Sequence, residues 1–111
     1  MKTIFQRIID GELPADKVFE NERIIAIKDI NPQAPVHLLI ITKKAIPSLT
    51  EITPEDGPLV AEVMAVATKL AKKFNVESGF RLLTNNGAPA GQTIPHLHFH
   101  LLGGRDLGAL G

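Results

Sequence analysis

Three of the four histidines in this 111-residue chain occupy alternate positions, His96, His98 and His100, within Pro95-His96-Leu97-His98-Phe99-His100-Leu101-Leu102-Gly103-Gly104. Successive side chains of a β-strand point to opposite faces. The spacing therefore predicts one face of imidazoles and one buried face of Leu97, Phe99 and Leu101. Neighbouring histidines then lie about 6–7 Å apart at Cα, close enough for one small anion to touch two rings. Imidazole titrates near neutrality, so one ring can serve as a neutral nucleophile or base while its neighbour donates a proton. A single histidine on the wet side of a strand is unremarkable; three in alternation, with only His37 elsewhere, ask for a chemical role.

Two chemistries use this arrangement. His-x-His on a strand binds zinc or another imidazole-seeking ion, with His37 or Asp29 completing the shell. Alternatively His98, flanked by two donors, attacks phosphorus, forms a covalent phospho-histidine-type bond and passes the group to water. Spacing alone does not choose between them. The segment Gly87-Ala88-Pro89-Ala90-Gly91-Gln92-Thr93 leads into the histidines. Gly91 permits close approach of a ligand to the backbone, and adjacent amides in such a turn can form an anion nest. Asn85, in Asn85-Asn86-Gly87, suits a turn or a contact to a sugar hydroxyl.

These residues need a frame. Ile4, Phe5, Ile8 and Ile9 recur at helical spacing up to Asp10-Gly11 and predict a short amphipathic helix. Val18–Glu20 and Arg23–Lys28 read as a hairpin joined at Asn21-Glu22, and His37–Thr42 as a buried strand with His37 at its mouth. Lys43-Lys44 fits a solvated strand end. Thr53-Pro54-Glu55-Asp56 has the cap, proline and acids of a helix start. Leu59, Val63, Ala67, Leu70 and Phe74 continue that helix as one apolar stripe, and Asn75 can close it. Phe80–Thr84 alternates as a further strand.

The length suits one domain over residues 1–111, with residues 105–111 as a tail of no clear structure. Twelve basic and twelve acidic residues cancel, leaving no basic footprint for polymeric nucleic acid. No apolar stretch suggests a signal peptide or membrane span, and the absence of cysteine excludes disulfides and thiolate metal sites. The expectation is a soluble cytoplasmic protein.

His96-Leu97-His98-Phe99-His100-Leu101-Leu102 resembles the histidine triad pattern, His-φ-His-φ-His-φ-φ with φ apolar, of a family of nucleotide hydrolases and transferases. The resemblance extends to residues 4–9, 29–37, Asn85 and Gly91-Gln92-Thr93. It is nearest to the histidine triad nucleotide-binding branch, small homodimeric purine nucleoside phosphoramidases that need no metal or other cofactor. It implies an α+β fold: an antiparallel sheet of about five strands with one long and one short helix, dimerising. His98 would be the nucleophile on the α-phosphorus, His100 would bind and neutralise phosphoryl oxygens, and His96 would pair with His37. Asp29 would grip the ribose, while Ile4, Phe5, Ile8, Ile27, Ile30 and Leu39 form the slot for a purine base. Asn85, Gly91, Gln92 and Thr93 match residues near the phosphate or leaving group, with the Thr93 hydroxyl placed to help protonate the departing amine. The ligand implied is a purine nucleoside monophosphate or phosphoramidate. A dinucleoside polyphosphate hydrolase, or a nucleotide-binding module with little turnover, are the alternatives. Thr93 stands where the best-known relatives have serine, Pro95 where they have an aromatic or apolar residue, and the tail lacks their Trp-Pro-Pro ending.

Overall fold

The computed structural model describes Met1–Gly111. Helix α1 (Ile4–Ile9) starts where Thr3 Oγ1 accepts the Gln6 amide at 3.1 Å and stops before Gly11, whose φ is +78°. Strands β1 (Lys17–Glu20) and β2 (Ile24–Lys28) form the expected hairpin. Its turn is closed by Asn21 Oδ1, which accepts from the amides of Arg23 and Ile24 at 2.9 and 2.8 Å. β3 (Val36–Thr42) follows, then α2 (Gly57–Lys73), β4 (Phe80–Leu83) and β5 (His98–Gly103). All neighbours are antiparallel in the order β1-β2-β3-β5-β4, which sets the histidine strand between β3 and β4.

The long helix begins later than its capping sequence suggests. Thr53 and Asp56 do form a reciprocal capping box, but around a single 3₁₀ turn, Pro54–Asp56, and α-helical geometry starts at Gly57. A buried Asp56 carboxylate, bonded to Lys44 Nζ at 2.6 Å and to the Thr53 amide at 3.0 Å, holds that turn in place. Lys44 is thus an anchor for the helix start as well as a strand-end cation. Asn75 ends α2 with φ +60°, as its position implied.

Both faces of the sheet are covered, and this departs from the expectation of one buried and one open side. Ile24, Ala26, Leu38, Ile40, Leu97, Phe99 and Leu101 pack with Val63, Ala67 and Leu70 of α2. On the opposite face Ile25, Ile27, Leu39 and Ile41 pack with Phe5 and Ile8 of α1. Continuous apolar runs in β2 and β3 satisfy both layers at once, the pattern of a strand buried on two sides. The imidazoles therefore sit under α1: His96 and His98 are 2% and 8% exposed. No helix is long and apolar enough to cross a membrane.

Candidate active site

β5 begins at His98, so His96 precedes the strand, and Pro95 removes no ladder bond. The Phe5 ring lies against both histidines, its centroid 6.3 Å from that of His96 and 4.8 Å from that of His98, in T-shaped arrangements. His98 and His100 lie 5.2 Å apart, as do His100 and His37. β3 brings in His37 through its register with β5, which opposes His37 to Leu102 and Leu39 to His100.

The hydrogen bonds assign each ring its tautomer. The Gln33 amide donates to His37 Nδ1 at 3.0 Å, so the hydrogen of a neutral His37 is on Nε2. That Nε2–H points at His100 Nδ1, 2.9 Å away, and lies 3.4 Å from an Asp29 oxygen. His100 Nδ1 is then an acceptor, and its own hydrogen is on Nε2. His98 Nδ1 donates to the His96 carbonyl at 2.7 Å, which leaves His98 Nε2 with a lone pair. Neither His98 Nε2 nor His100 Nε2 has a protein partner. Since no buried side-chain nitrogen or oxygen lacks one, both atoms reach the cavity surface. The site presents one nucleophilic nitrogen beside one N–H donor.

The expected pairing of His96 with His37 is corrected by these bonds. His37 pairs with His100, while His96 Nε2 donates to the Thr42 carbonyl at 2.6 Å. The reason is positional: His37 is opposite the His100 end of β5, and His96 lies before the strand beside the far end of β3. Burial lowers the pKa of His37 and of His98. His100 is pushed down to about 4, first by burial and then by His98 and His37. At neutral pH all three are uncharged. In the ligand-free protein His100 thus offers a neutral Nε2–H to the cavity.

These nitrogens open into a cavity of about 280 Å³ lined by Ile4, Phe5, Ile8, Ile27, Ile30, Leu39, Ile94, Lys28, Asp29 and Thr93. That volume is just under the range of about 300–1,000 Å³ common for ligand pockets, and the cavity has a mouth on the surface. Ile4 and Ile30 stand at that mouth, 55% and 101% exposed. All six apolar residues predicted for the slot are present, as are Asp29 and Thr93; Ile94 and Lys28 are additions that sequence reasoning missed. Asp29 Oδ1 accepts the Asn31 amide at 2.8 Å, which shapes the turn after β2. A larger cleft, about 540 Å³ at the far ends of β4 and β5, holds Arg81 and Arg105 but no histidine.

The loop before the histidines differs from expectation. Its amides at Ala90, Gly91 and Gln92 donate to carbonyls of Gly87 and Ala88, and the Gly87 amide donates to Gln92 Oε1. Gln92 Nε2 donates to the carbonyls of Pro47 and Ile94 at 2.8 and 3.1 Å. Gln92 therefore staples the loop, its side-chain oxygen and nitrogen both bonded within the protein, and the Gly91 amide is already taken by the Ala88 carbonyl. Gly91, with φ +101°, instead makes the turn, and a Cβ there would lie 3.7 Å from Asn85 Nδ2.

Asp29, His37 and His100 bring one possible metal-ligating atom each within 4.8 Å of one another. The donor set suits a metal poorly. His37 could coordinate through Nε2 only with its hydrogen on Nδ1, where it would face the Gln33 N–H.

Residues 10–107 match the family model described as HIT domain. A HIT-like protein of Chlamydia pneumoniae is 54% identical over 108 residues, covering 97% of this chain and 98% of its own. The purine nucleoside phosphoramidase of Escherichia coli is 40% identical over 110 residues, with 98% and 92% covered. Among solved structures, a HIT family hydrolase from Legionella pneumophila superposes with a TM-score of 0.94 at 42% identity, covering 96% of each chain. A histidine triad nucleotide-binding protein from Candida albicans gives 0.83 at 32% identity, covering 99% of this chain and 84% of its own. With the fold, the triad and the matches in agreement, the chain belongs to the HIT domain family and has the fold of its hydrolases.

Proposed function

We propose that this chain hydrolyses purine nucleoside 5′-phosphoramidates without a metal, through a covalent bond between the α-phosphorus and His98 Nε2. The observation that carries this reading is the pair of cavity-facing nitrogens whose tautomers are imposed from outside the cavity, a lone pair on His98 and an N–H on His100. His98 Nε2 attacks phosphorus, the P–N bond to the amine breaks, and the amine leaves with a proton taken from solvent and relayed by the Thr93 hydroxyl. Charge builds on the non-bridging oxygens, where the His100 N–H is aimed in a site shielded by Phe5 and Ile94. The His96 carbonyl accepts the Nδ1–H of the ring as it becomes cationic. Water then attacks phosphorus and yields its proton to solvent, the bond to Nε2 breaks with its electron pair returning to the ring, and the nucleoside monophosphate departs.

The apolar slot takes the purine by burial and contact rather than by hydrogen bonds, with Ile4 and Ile30 closing over its exposed side. Each Asp29 oxygen retains a lone pair for a ribose hydroxyl, and Asn85 lies beside the leaving-group loop. We further place the chain, as one domain, in a cytoplasmic homodimer that binds neither polymeric nucleic acid nor membrane. The test is a substrate panel in chelator: adenosine and guanosine phosphoramidates should be cleaved and a diadenosine polyphosphate left largely intact. Preference for the polyphosphate would favour a dinucleoside polyphosphate hydrolase. Tight binding of AMP with every phosphoramidate inert would favour a binding module. Stoichiometric metal with chelator-sensitive turnover would overturn the metal-free mechanism.

A further inference from the structure

His98 is the first residue of β5, and its two sheet neighbours hold it unequally. Against β3 it stands in register with Ile41. On the other edge β4 has already ended, its last pairs being Leu82 with Leu101 and Leu83 with His100. The next residue, Thr84, supplies what the strand no longer does: its Oγ1 donates to the His98 carbonyl at 2.7 Å. A side-chain hydroxyl thus takes the place of a backbone partner at the residue that carries the reactive ring.

The other end of the nucleophile is fixed separately. The acceptor of the His98 Nδ1–H is the His96 carbonyl, outside the ladder. It is located by the His96 ring on the Thr42 carbonyl at 2.6 Å and by the His96 amide on the Ile94 carbonyl at 2.9 Å. Thr42 is buried, its own hydroxyl bonded to the Lys44 carbonyl at 2.9 Å. A ring that bonds the carbonyl two residues back keeps that bond only while both stretches of main chain hold their places. A displacement of about 1 Å at either end takes a good hydrogen bond beyond its useful length.

The geometry points to Thr84 as a positioning residue for the nucleophile: its hydroxyl pins the His98 main chain, so that Nδ1–H stays on the His96 carbonyl and Nε2 stays free. This rests on the reading of His98 as the attacking group, and it assigns a role to the residue that directly follows β4. Valine at 84 would fill nearly the same volume and keep the strand-compatible branching, but would leave the carbonyl without its donor.

The test compares Thr84→Val, Thr84→Ala and Thr84→Ser with the unaltered protein. Nitrogen NMR of the His98 ring should find the Nδ1–H tautomer, slow to exchange, in the unaltered protein and in Thr84→Ser. Thr84→Val and Thr84→Ala should give mixed tautomers and faster ring N–H exchange. In single turnover with an adenosine phosphoramidate, the two variants lacking the hydroxyl should form the adduct about three- to tenfold more slowly, with AMP affinity within about twofold. A purely structural role would change stability without altering the tautomer or the split between rate and affinity. Thr84→Val and Thr84→Ala with the unaltered tautomer and exchange, or a Thr84→Ser as impaired as Thr84→Val, would overturn the inference. If the unaltered protein cleaves no phosphoramidate, the functional reading fails, while the ring tautomers still decide the role of Thr84.

Discussion

Replacing His37 with alanine removes the group that sets the tautomer of His100. His37 receives the Gln33 amide on one nitrogen and donates from the other to His100 Nδ1 at 2.9 Å. Without it, His100 Nδ1 is a part-buried acceptor with no donor, a loss of about 1–3 kcal/mol. The ring escapes that cost by moving its hydrogen to Nδ1, which turns Nε2 into a lone pair facing the phosphoryl oxygens. If the whole loss falls on the transition state, the rate of adduct formation drops by about 5- to 150-fold. His37→Ala should therefore form the nucleotidyl adduct about 10- to 100-fold more slowly in a rapid-quench single-turnover assay, while AMP binding weakens less. A second readout is the His100 titration. Burial, His98 and His37 hold its pKa near 4, so removing His37 and admitting water should move it upward. A rate within about twofold of the unaltered protein, with His100 titrating unchanged, would refute this chain of hydrogen bonds. A pairing of His37 with His96 would predict a perturbed His96 ring and an untouched His100.

Three further outcomes follow from particular contacts. Burial lowers the pKa of His37, His98 and His100 in the folded chain, whereas in the unfolded chain they titrate near 6.5. The unfolded state then binds protons that the folded state refuses, so stability should fall as pH drops from about 6.5 towards about 4; a denaturant midpoint that is flat between about pH 7 and about pH 5 would contradict this. Gly104 has φ +97°, and a Cβ there would lie 2.9 Å from the Cβ of Pro35, so Gly104→Ala should cost about 1–3 kcal/mol in urea unfolding. An unchanged midpoint would show that the turn after β5 relaxes freely. Asp29→Ala should weaken AMP binding by about tenfold in calorimetry and leave inorganic phosphate binding nearly unchanged; equal weakening of both would place the carboxylate at the phosphate instead of the ribose.

Much of this architecture can be read from residue order, because its strands and helices carry strong periodicity and clear stops. The Asp10-Gly11 stop, the Asn21 turn, the α2 stripe and the Asn75 exit all fall where their chemistry predicts. The apolar slot is legible as well, since the residues matching it line the cavity. What escapes is whatever depends on register. The partner of His37 is decided by the offset of β3 against β5, and no local pattern states that offset. For the same reason Thr84 reads only as the end of a strand, although its hydroxyl meets the His98 carbonyl. The structural role of Gln92 is hidden on other grounds. Its amide side chain suits a ligand or a loop equally well, and only the fold reveals that the carbonyls of Pro47 and Ile94 claim it. The burial of both sheet faces is written in the unbroken apolar run of β2, yet the alternation of β5 by itself suggests one open side.

The proposed reaction turns on one bond, between phosphorus and His98 Nε2. Denaturing quench of the protein during turnover of an adenosine phosphoramidate, followed by intact mass and peptide mapping under alkaline conditions, tests it directly. The expected result is an acid-labile mass increase of one adenylyl group, confined to the peptide carrying His98 and absent from His98→Ala. Continued turnover with no such adduct in the unaltered protein, or undiminished single turnover by His98→Ala, would contradict it.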